Sequence, residues 1–390
     1  MTASPLPFAT PISADFIHGA VEVETTDAGL LPHRLPAWAL SQCDDPQLAM
    51  AEAQPAGVRI IFDTTATDIE LVTLPTKRHY VGMPARPDGC YELLVDGRRL
   101  RQAVAPAGNE LRINMATGNV EMLAGAPQSI AFLGLDAGSK RVEIWLPHNE
   151  TTVLLQLRSN AAVFPVASLG QRRWVHHGSS ISQGSNATHP TGIWPAIAAA
   201  GAGLELLNLG YGGSALLDPF VARAIGTLPA DLISIKMGIN LVNRDLMRLR
   251  AFGPALHGFL DTIRQAHPTV PILLISPIYC AIHETIPGPT MFDTEALREG
   301  RLLFRAAGRA EEVAQGKLNL QVIRDQTGAI VAQRQQADRH LHYIDGTSLY
   351  GPDDATRHPL PDALHPDADA HRLIGERFAH HLLDAASRQG

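Results

Sequence analysis

The chain has 390 residues, a net charge of −7, 45% hydrophobic residues and 18% charged residues. At about 150 residues per domain this predicts two domains or three, with a globular rather than a disordered composition. The 32 Lys and Arg form no run, which excludes a nucleic-acid footprint, and no apolar stretch reaches the ~18 residues of a membrane span; 271–282 comes nearest.

The opening MTASPLPFATPISADF lacks a basic segment followed by an apolar one, so no signal peptide is expected. Cys43, Cys90 and Cys280 are odd in number and far apart, which fits a reducing cytoplasm rather than a disulfide framework and excludes a thiolate zinc knuckle. The expectation is a cytoplasmic protein that needs neither metal nor cofactor. The glycosylation sequons at Asn149 and Asn186 are read as chance matches in that setting.

Between about 15 and 165 the pattern is one of short β runs: 58–62, 68–74, 91–95, 129–133, 141–146 and 152–158. Turn residues separate them, such as Asp96-Gly97, Gly108-Asn109 and 136–138. In 141–146, alternation puts Val142, Ile144 and Leu146 on one face. Many short strands with turns between them predict a jelly-roll-like β-sandwich domain over 1–168.

From 169 onward strands and helices alternate. The strands are 173–176, 206–209, 232–237, 272–275 and 341–344; the helices are 194–202, 219–225, 244–266, 294–313 and 368–387. This predicts an α/β fold over 169–390, a five-stranded parallel sheet in a flavodoxin-like α/β/α sandwich. The segment 279–299 after the fourth strand, with Pro287 and Pro289, is a candidate pocket wall. In such sheets ligands collect beyond the carboxyl ends of the strands.

Those ends carry four blocks. Gly178-Ser179-Ser180-Ile181-Ser182-Gln183-Gly184 presents a serine at a tight turn. Gly210-Tyr211-Gly212-Gly213 lets backbone N–H groups approach a ligand. Gly238-Ile239-Asn240 offers a side-chain amide, and Asp362-Ala363-Leu364-His365 puts a carboxylate three residues before an imidazole. Together they are the parts of an acyl-transfer site: nucleophile, base, base-orienting acid and oxyanion donors. Taken singly, each has a blander meaning: a turn serine, a helix-cap asparagine, packing glycines and a helix-start carboxylate with a surface histidine.

In this order the blocks resemble those of the SGNH (GDSL) hydrolases, over roughly residues 173–378. The first block departs from the family pattern in having Ser179 where the family has Asp. A Gly-Ser-Ser-Ile subgroup with an N-terminal β-sandwich shares that feature. With Ser179, Ser180 and Ser182 all near the turn, the family spacing to Gly184 selects Ser180 as nucleophile. The resemblance implies His365 as base, Asp362 as its orienting carboxylate, and the N–H groups of Ser180 and Gly213 with the Asn240 side chain as oxyanion hole. Asn243 is read as a helix cap. The pairs His176-His177, His340 with His342, and His380-His381 are read as structural or solvated, and Trp145, Trp174 and Trp194 as packing residues, with Trp194 a candidate for the pocket entrance.

The expected activity is that of a serine esterase or deacylase acting on a small-molecule ester. The alternative is an acyltransferase taking an acyl group from an acyl-CoA or activated ester to a hydroxyl of a natural product. A third reading is a carbohydrate-binding protein with a degenerate catalytic domain. No nucleic acid and no membrane are expected as partners, and the oligomeric state is left open. An α/β-hydrolase is excluded because neither Ser180 nor Ser214 sits in a Gly-x-Ser-x-Gly frame.

Overall fold

The computed structural model describes residues 6–115 and 117–387. They form two compact units. The first comprises the described residues of Met1–Arg34, Glu52–Gly170 and Thr188–Thr191; the second comprises those of Leu35–Ala51, Gln171–Ala187 and Gly192–Gly390. Each unit therefore takes in a short segment from the other's stretch of sequence, which a single boundary at 168/169 does not register.

Among its described residues the first unit holds one sheet of eight strands and one of six. Their inner faces share a core. Val142 and Ile144 of Lys140–Trp145, with Leu93 of Cys90–Val95, pack with Leu71 of Ile69–Tyr80 and Ile130 of Gln128–Phe132. Val142, Ile144 and Leu146 are fully buried, as the alternation predicts. The unanticipated strand Arg98–Val104 pairs with Cys90–Val95, and nearly all of its residues are exposed. A strand with a solvated face of Arg and Gln carries little hydrophobic periodicity to detect.

The second unit is built on five parallel strands in the spatial order Glu205–Gly210, Arg173–Gly178, Leu232–Lys236, Ile272–Ile275, Leu341–Ile344. The strand interiors are buried because helices cover both faces. Residues three apart on one strand show the two sides. Trp174 packs against Trp194 of Trp194–Ala202 and Phe378 of Ala368–Ser387, whereas His177 stacks on Phe259 of Leu249–Ala266.

The predicted helix 244–266 begins only at Leu249, and the C-terminal half of the second unit departs further from expectation. The predicted helix 294–313 ends at Arg298, and Gly300 follows in the left-handed region at φ +74°. The chain then forms the strand Phe304–Ala306, antiparallel to Thr290–Phe292, and a short 3₁₀ turn at Ala310–Gln315. A helix not anticipated, Leu320–Arg334, starts at Asn319, whose Oδ1 accepts from Val322 N at 2.9 Å. Among the described residues no helix is long and apolar enough to cross a membrane.

Candidate active site

The strand Arg173–Gly178 runs into Ser179, which is extended and caps the short helix Ser180–Gln183; its Oγ accepts from Ile181 N at 3.4 Å. Three serines share this turn, and each has a different partner. Ser182 Oγ lies 2.8 Å from His176 Nε2, beneath the turn, while Ser180 Oγ lies 2.9 Å from His365 Nε2. Only Ser180 among them meets the histidine of the last block.

That last block folds tightly on itself. Ala363 takes φ +66°, and Asp362 Oδ1 accepts from the backbone N–H groups of Leu364 (2.9 Å) and His365 (2.7 Å). Asp362 Oδ2 lies 2.8 Å from His365 Nδ1 and accepts from Asn186 Nδ2 at 3.1 Å. Burial by itself would raise the Asp362 carboxyl. The hydrogen bond and charge of His365, with the two amides, outweigh it and hold the group below the usual carboxylate range. A carboxylate accepts only, so His365 Nδ1 carries the proton and Nε2 is left to accept from the Ser180 hydroxyl. The Phe304 ring meets His365 edge-on with centroids 5.8 Å apart, and Phe304 N donates to Asp362 O at 2.9 Å. Phe304 lies just beyond the segment 279–299.

Asn240 stands in the short helix Ile239–Asn243, which follows Gly238 at φ +127°. A Cβ at Gly238 would come within 2.8 Å of the Pro277 ring, so the block needs glycine there. Asn240 is buried, and its Oδ1 accepts from Ala215 N at 3.1 Å, which orients the amide and leaves Nδ2 to donate. Among the described residues, the amide N–H groups of Ser180 and Gly213 have no acceptor.

Other sequence-selected residues fall outside this cluster. Asn243 does not cap a helix start; it ends its helix with Oδ1 2.8 Å from Thr290 Oγ1, tying the helix to the following segment. Trp194 is fully buried against Trp174, His176 and Phe378, not at an entrance. His176 Nδ1 lies 2.7 Å from Ser234 Oγ, and His177 Nδ1 donates to Leu209 O at 2.8 Å. Burial pushes His177 down to about 4 and His176 well below the usual value, so both are neutral supports. Among the described residues no cluster of three or more His, Cys, Asp or Glu could hold a metal ion.

Three supports escaped the sequence reading: Asn186, Phe304 and His371. His371 Nε2 donates to Ser185 O at 3.0 Å and its Nδ1 accepts from Trp194 N at 3.3 Å, with burial pushing it down to about 4. Its spacing from the buried Ile374 and Phe378 on the same helix was a usable signal for a buried position. Asn186 offered no signal beyond its sequon.

Residues 171–287 match the family described as GDSL-like Lipase/Acylhydrolase. The matched span holds Ser180, Gly213 and Asn240 and ends before Asp362 and His365. The chain is similar to a salicylyl-acyltransferase from a tetracycline biosynthetic pathway, at 25% identity and a TM-score of 0.77, covering 99% of this chain and 97% of that one. It shares its fold with a candidate GDSL-like lipase from Bacteroides ovatus (17% identity, TM-score 0.66, 97% and 98% coverage). The same holds for a family two carbohydrate esterase from Cellvibrio japonicus (14% identity, TM-score 0.57, 97% and 98% coverage). No curated protein matches the sequence. The chain is an enzyme of the esterase and acyltransferase class.

Proposed function

We propose that the GDSL domain acts on a small-molecule ester through an acyl-Ser180 intermediate, as an esterase or deacylase. What carries this reading is the continuous path from Ser180 Oγ through His365 to Asp362, with steps of 2.9 and 2.8 Å. In this mechanism Ser180 Oγ attacks the acyl carbonyl carbon while its proton passes to His365 Nε2. Asp362 keeps the proton of His365 on Nδ1 and stabilises the imidazolium without taking that proton. The carbonyl oxygen, now negative, is met by the N–H groups of Ser180 and Gly213 and by Asn240 Nδ2. Collapse breaks the bond to the leaving alcohol, which takes the proton from His365. Water then attacks the acyl-serine with His365 again as base, releasing the acid and restoring Ser180.

A hydroxyl-bearing acceptor in place of water makes the same residues an acyltransferase, with an acyl-CoA or activated ester as donor and a natural-product hydroxyl as acceptor. The 25% identity to an acyltransferase over nearly the full length of both chains supports keeping this second reading. The hydrogen-bonded Ser180, His365 and Asp362 speak against a degenerate, purely carbohydrate-binding protein.

Intact-mass measurement of wild type and Ser180→Ala, after incubation with activated esters and acyl-CoAs, tests the proposal. A mass increment on wild type alone is the expected result. Release of the label into water identifies an esterase, and release only on adding an alcohol identifies a transferase. A label on Ser180→Ala, or turnover by that variant, overturns the mechanism.

A further inference from the structure

The Gly212–Gly213 peptide joins two glycines, so no Cβ on either side opposes its rotation, and Gly213 itself sits at φ +76°. A trans peptide points its C=O and N–H in opposite directions. Whatever grips the Gly212 carbonyl therefore aims the Gly213 N–H. The grip comes from the amino-terminal stretch of the chain: Gln47 Nε2 donates to Gly212 O at 2.7 Å, across 165 residues of sequence. The approach is close, since a Cβ on Gly213 would lie 3.3 Å from Gln47 Cγ. From the other side of the loop, Gly212 N donates at 2.7 Å to Gln183 Oε1, on the short helix that begins with Ser180.

Gln47 is itself anchored. It lies on the helix Pro46–Glu52, and its N–H donates to Asp45 Oδ1 at 2.9 Å. Asp45 Oδ2 accepts from Arg244 Nη1 at 3.3 Å, and Arg244 N donates to Asn240 O at 3.1 Å. Further along the same segment, Trp38 lies under the Arg223 guanidinium at 5.5 Å, and Gln42 accepts a hydrogen bond from Arg223. Leu35–Ala51 is thus a strap of the second unit, touching the segments that carry both Gly213 and Asn240.

We infer that Gln47 is a positioning residue that fixes the Gly212–Gly213 peptide plane so that the Gly213 N–H faces the oxyanion. The inference rests on the reading of Gly213 N–H as an oxyanion donor in acyl transfer at Ser180. A hydrogen bond accepted at the Gly212 carbonyl also polarises the peptide, which makes its N–H a stronger donor. Gln47 touches no reacting atom. It acts through the peptide it holds, so its removal lowers the rate of the chemical steps and leaves ground-state binding nearly unchanged.

The test uses the full-length chain and an activated ester. Gln47→Glu keeps the side chain's shape but removes the NH₂ donor, and Gln47→Met removes it without adding charge beside Asp45. Both variants are expected to lose roughly 10- to 100-fold in kcat, with KM within about twofold and the Met variant melting within a few degrees of wild type. Wild-type kcat in either folded variant overturns the inference. So does a raised KM at unchanged kcat, which assigns Gln47 to substrate binding, or a lowered melting temperature at unchanged kcat, which makes the contact merely structural. Ser180→Ala is measured alongside. If it is inactive while Gln47→Met is fully active, only the Gln47 inference fails; if it turns over, the acyl-Ser180 reading fails first.

Discussion

The first unit and the second each bury a carboxylate against a histidine. Glu92 is fully buried and bonded to His189 Nδ1 (3.0 Å), Thr191 N (2.8 Å), Thr191 Oγ1 (2.6 Å) and Gln102 Nε2 (2.7 Å). Asp362 is bonded to His365 Nδ1, two backbone amides and Asn186. In both, burial pushes the carboxyl up and the donors outweigh it, taking Glu92 down to about 2 and Asp362 below its usual range. The difference lies at the far nitrogen. His189 Nε2 stands 3.0 Å from Arg99 Nη1, a donor that does not give up its proton, whereas His365 Nε2 stands 2.9 Å from the Ser180 hydroxyl. A carboxylate–imidazole pair is therefore no signature of chemistry by itself. The third partner decides.

The widest separation between the two pairs is expected in kinetics. Asp362→Asn is expected to lower kcat by roughly 10⁴-fold while the protein stays folded, because the wrong tautomer of His365 then faces Ser180. Glu92→Ala is expected to leave kcat within about threefold and to cost about 1–3 kcal/mol of stability by leaving the half-buried His189 and Thr191 donors unpaired. Steady-state kinetics and denaturant titration read both. A folded but inactive Glu92→Ala would break the comparison.

Asn240→Ala sharpens it from the donor side. The variant is expected to lose about 10²–10³ in kcat with little change in KM, since one oxyanion donor goes and ground-state binding stays.

Acid separates the units by a different route. His177 and His371 sit in the second unit with values near 4 against an ordinary 6.5. Both are neutral when folded, and the unfolded chain binds their protons first. Their stability contribution is whole above pH 6.5 and is lost as pH falls from 6.5 towards 4, by about 1.4 kcal/mol per pH unit for each histidine. Glu92 contributes fully above its ordinary 4.5 and loses that contribution only as pH falls towards 2. Hydrogen exchange at pH 5 should therefore show the second unit opening before the first, and His371→Gln should flatten the slope by one proton.

The smallest expected effect is at Phe304. Phe304→Ala removes an aromatic edge from His365, worth about 0.5–1.5 kcal/mol, and should change kcat/KM by roughly 2- to 10-fold. The change should vary with acyl chain length across a series of esters.

Parallel strands were legible almost to the residue. Ile272–Ile275 and Leu341–Ile344 coincide with their predicted bounds: the first is a fully buried apolar run that stops at Ser276, the second an edge strand with half-buried His342 and Tyr343 that stops at Asp345. The strand Phe304–Ala306 was hidden because it lies inside 294–313, a stretch that reads as one helix but is helical only over Thr294–Arg298, with Gly300 at φ +74° after it. Leu320–Arg334 was hidden because Thr327 and Gly328 interrupt its apolar stripe, although Thr327 is buried with its Oγ1 donating to Ile323 O at 2.6 Å.

By itself, the sequence determined the four blocks, their order, and the strand ends that bear them, since local periodicity and turn chemistry are written in neighbouring residues. It also determined which side chains were available for acyl transfer. Only the tertiary structure decided that Ser182 turns to His176, that Asn186 reaches Asp362 across 176 residues, and that Gln47 holds Gly212 across 165. Such hydrogen bonds depend on distances of about 3 Å between points far apart in the chain. Periodicity reports which face a residue occupies, and never which distant atom it meets there.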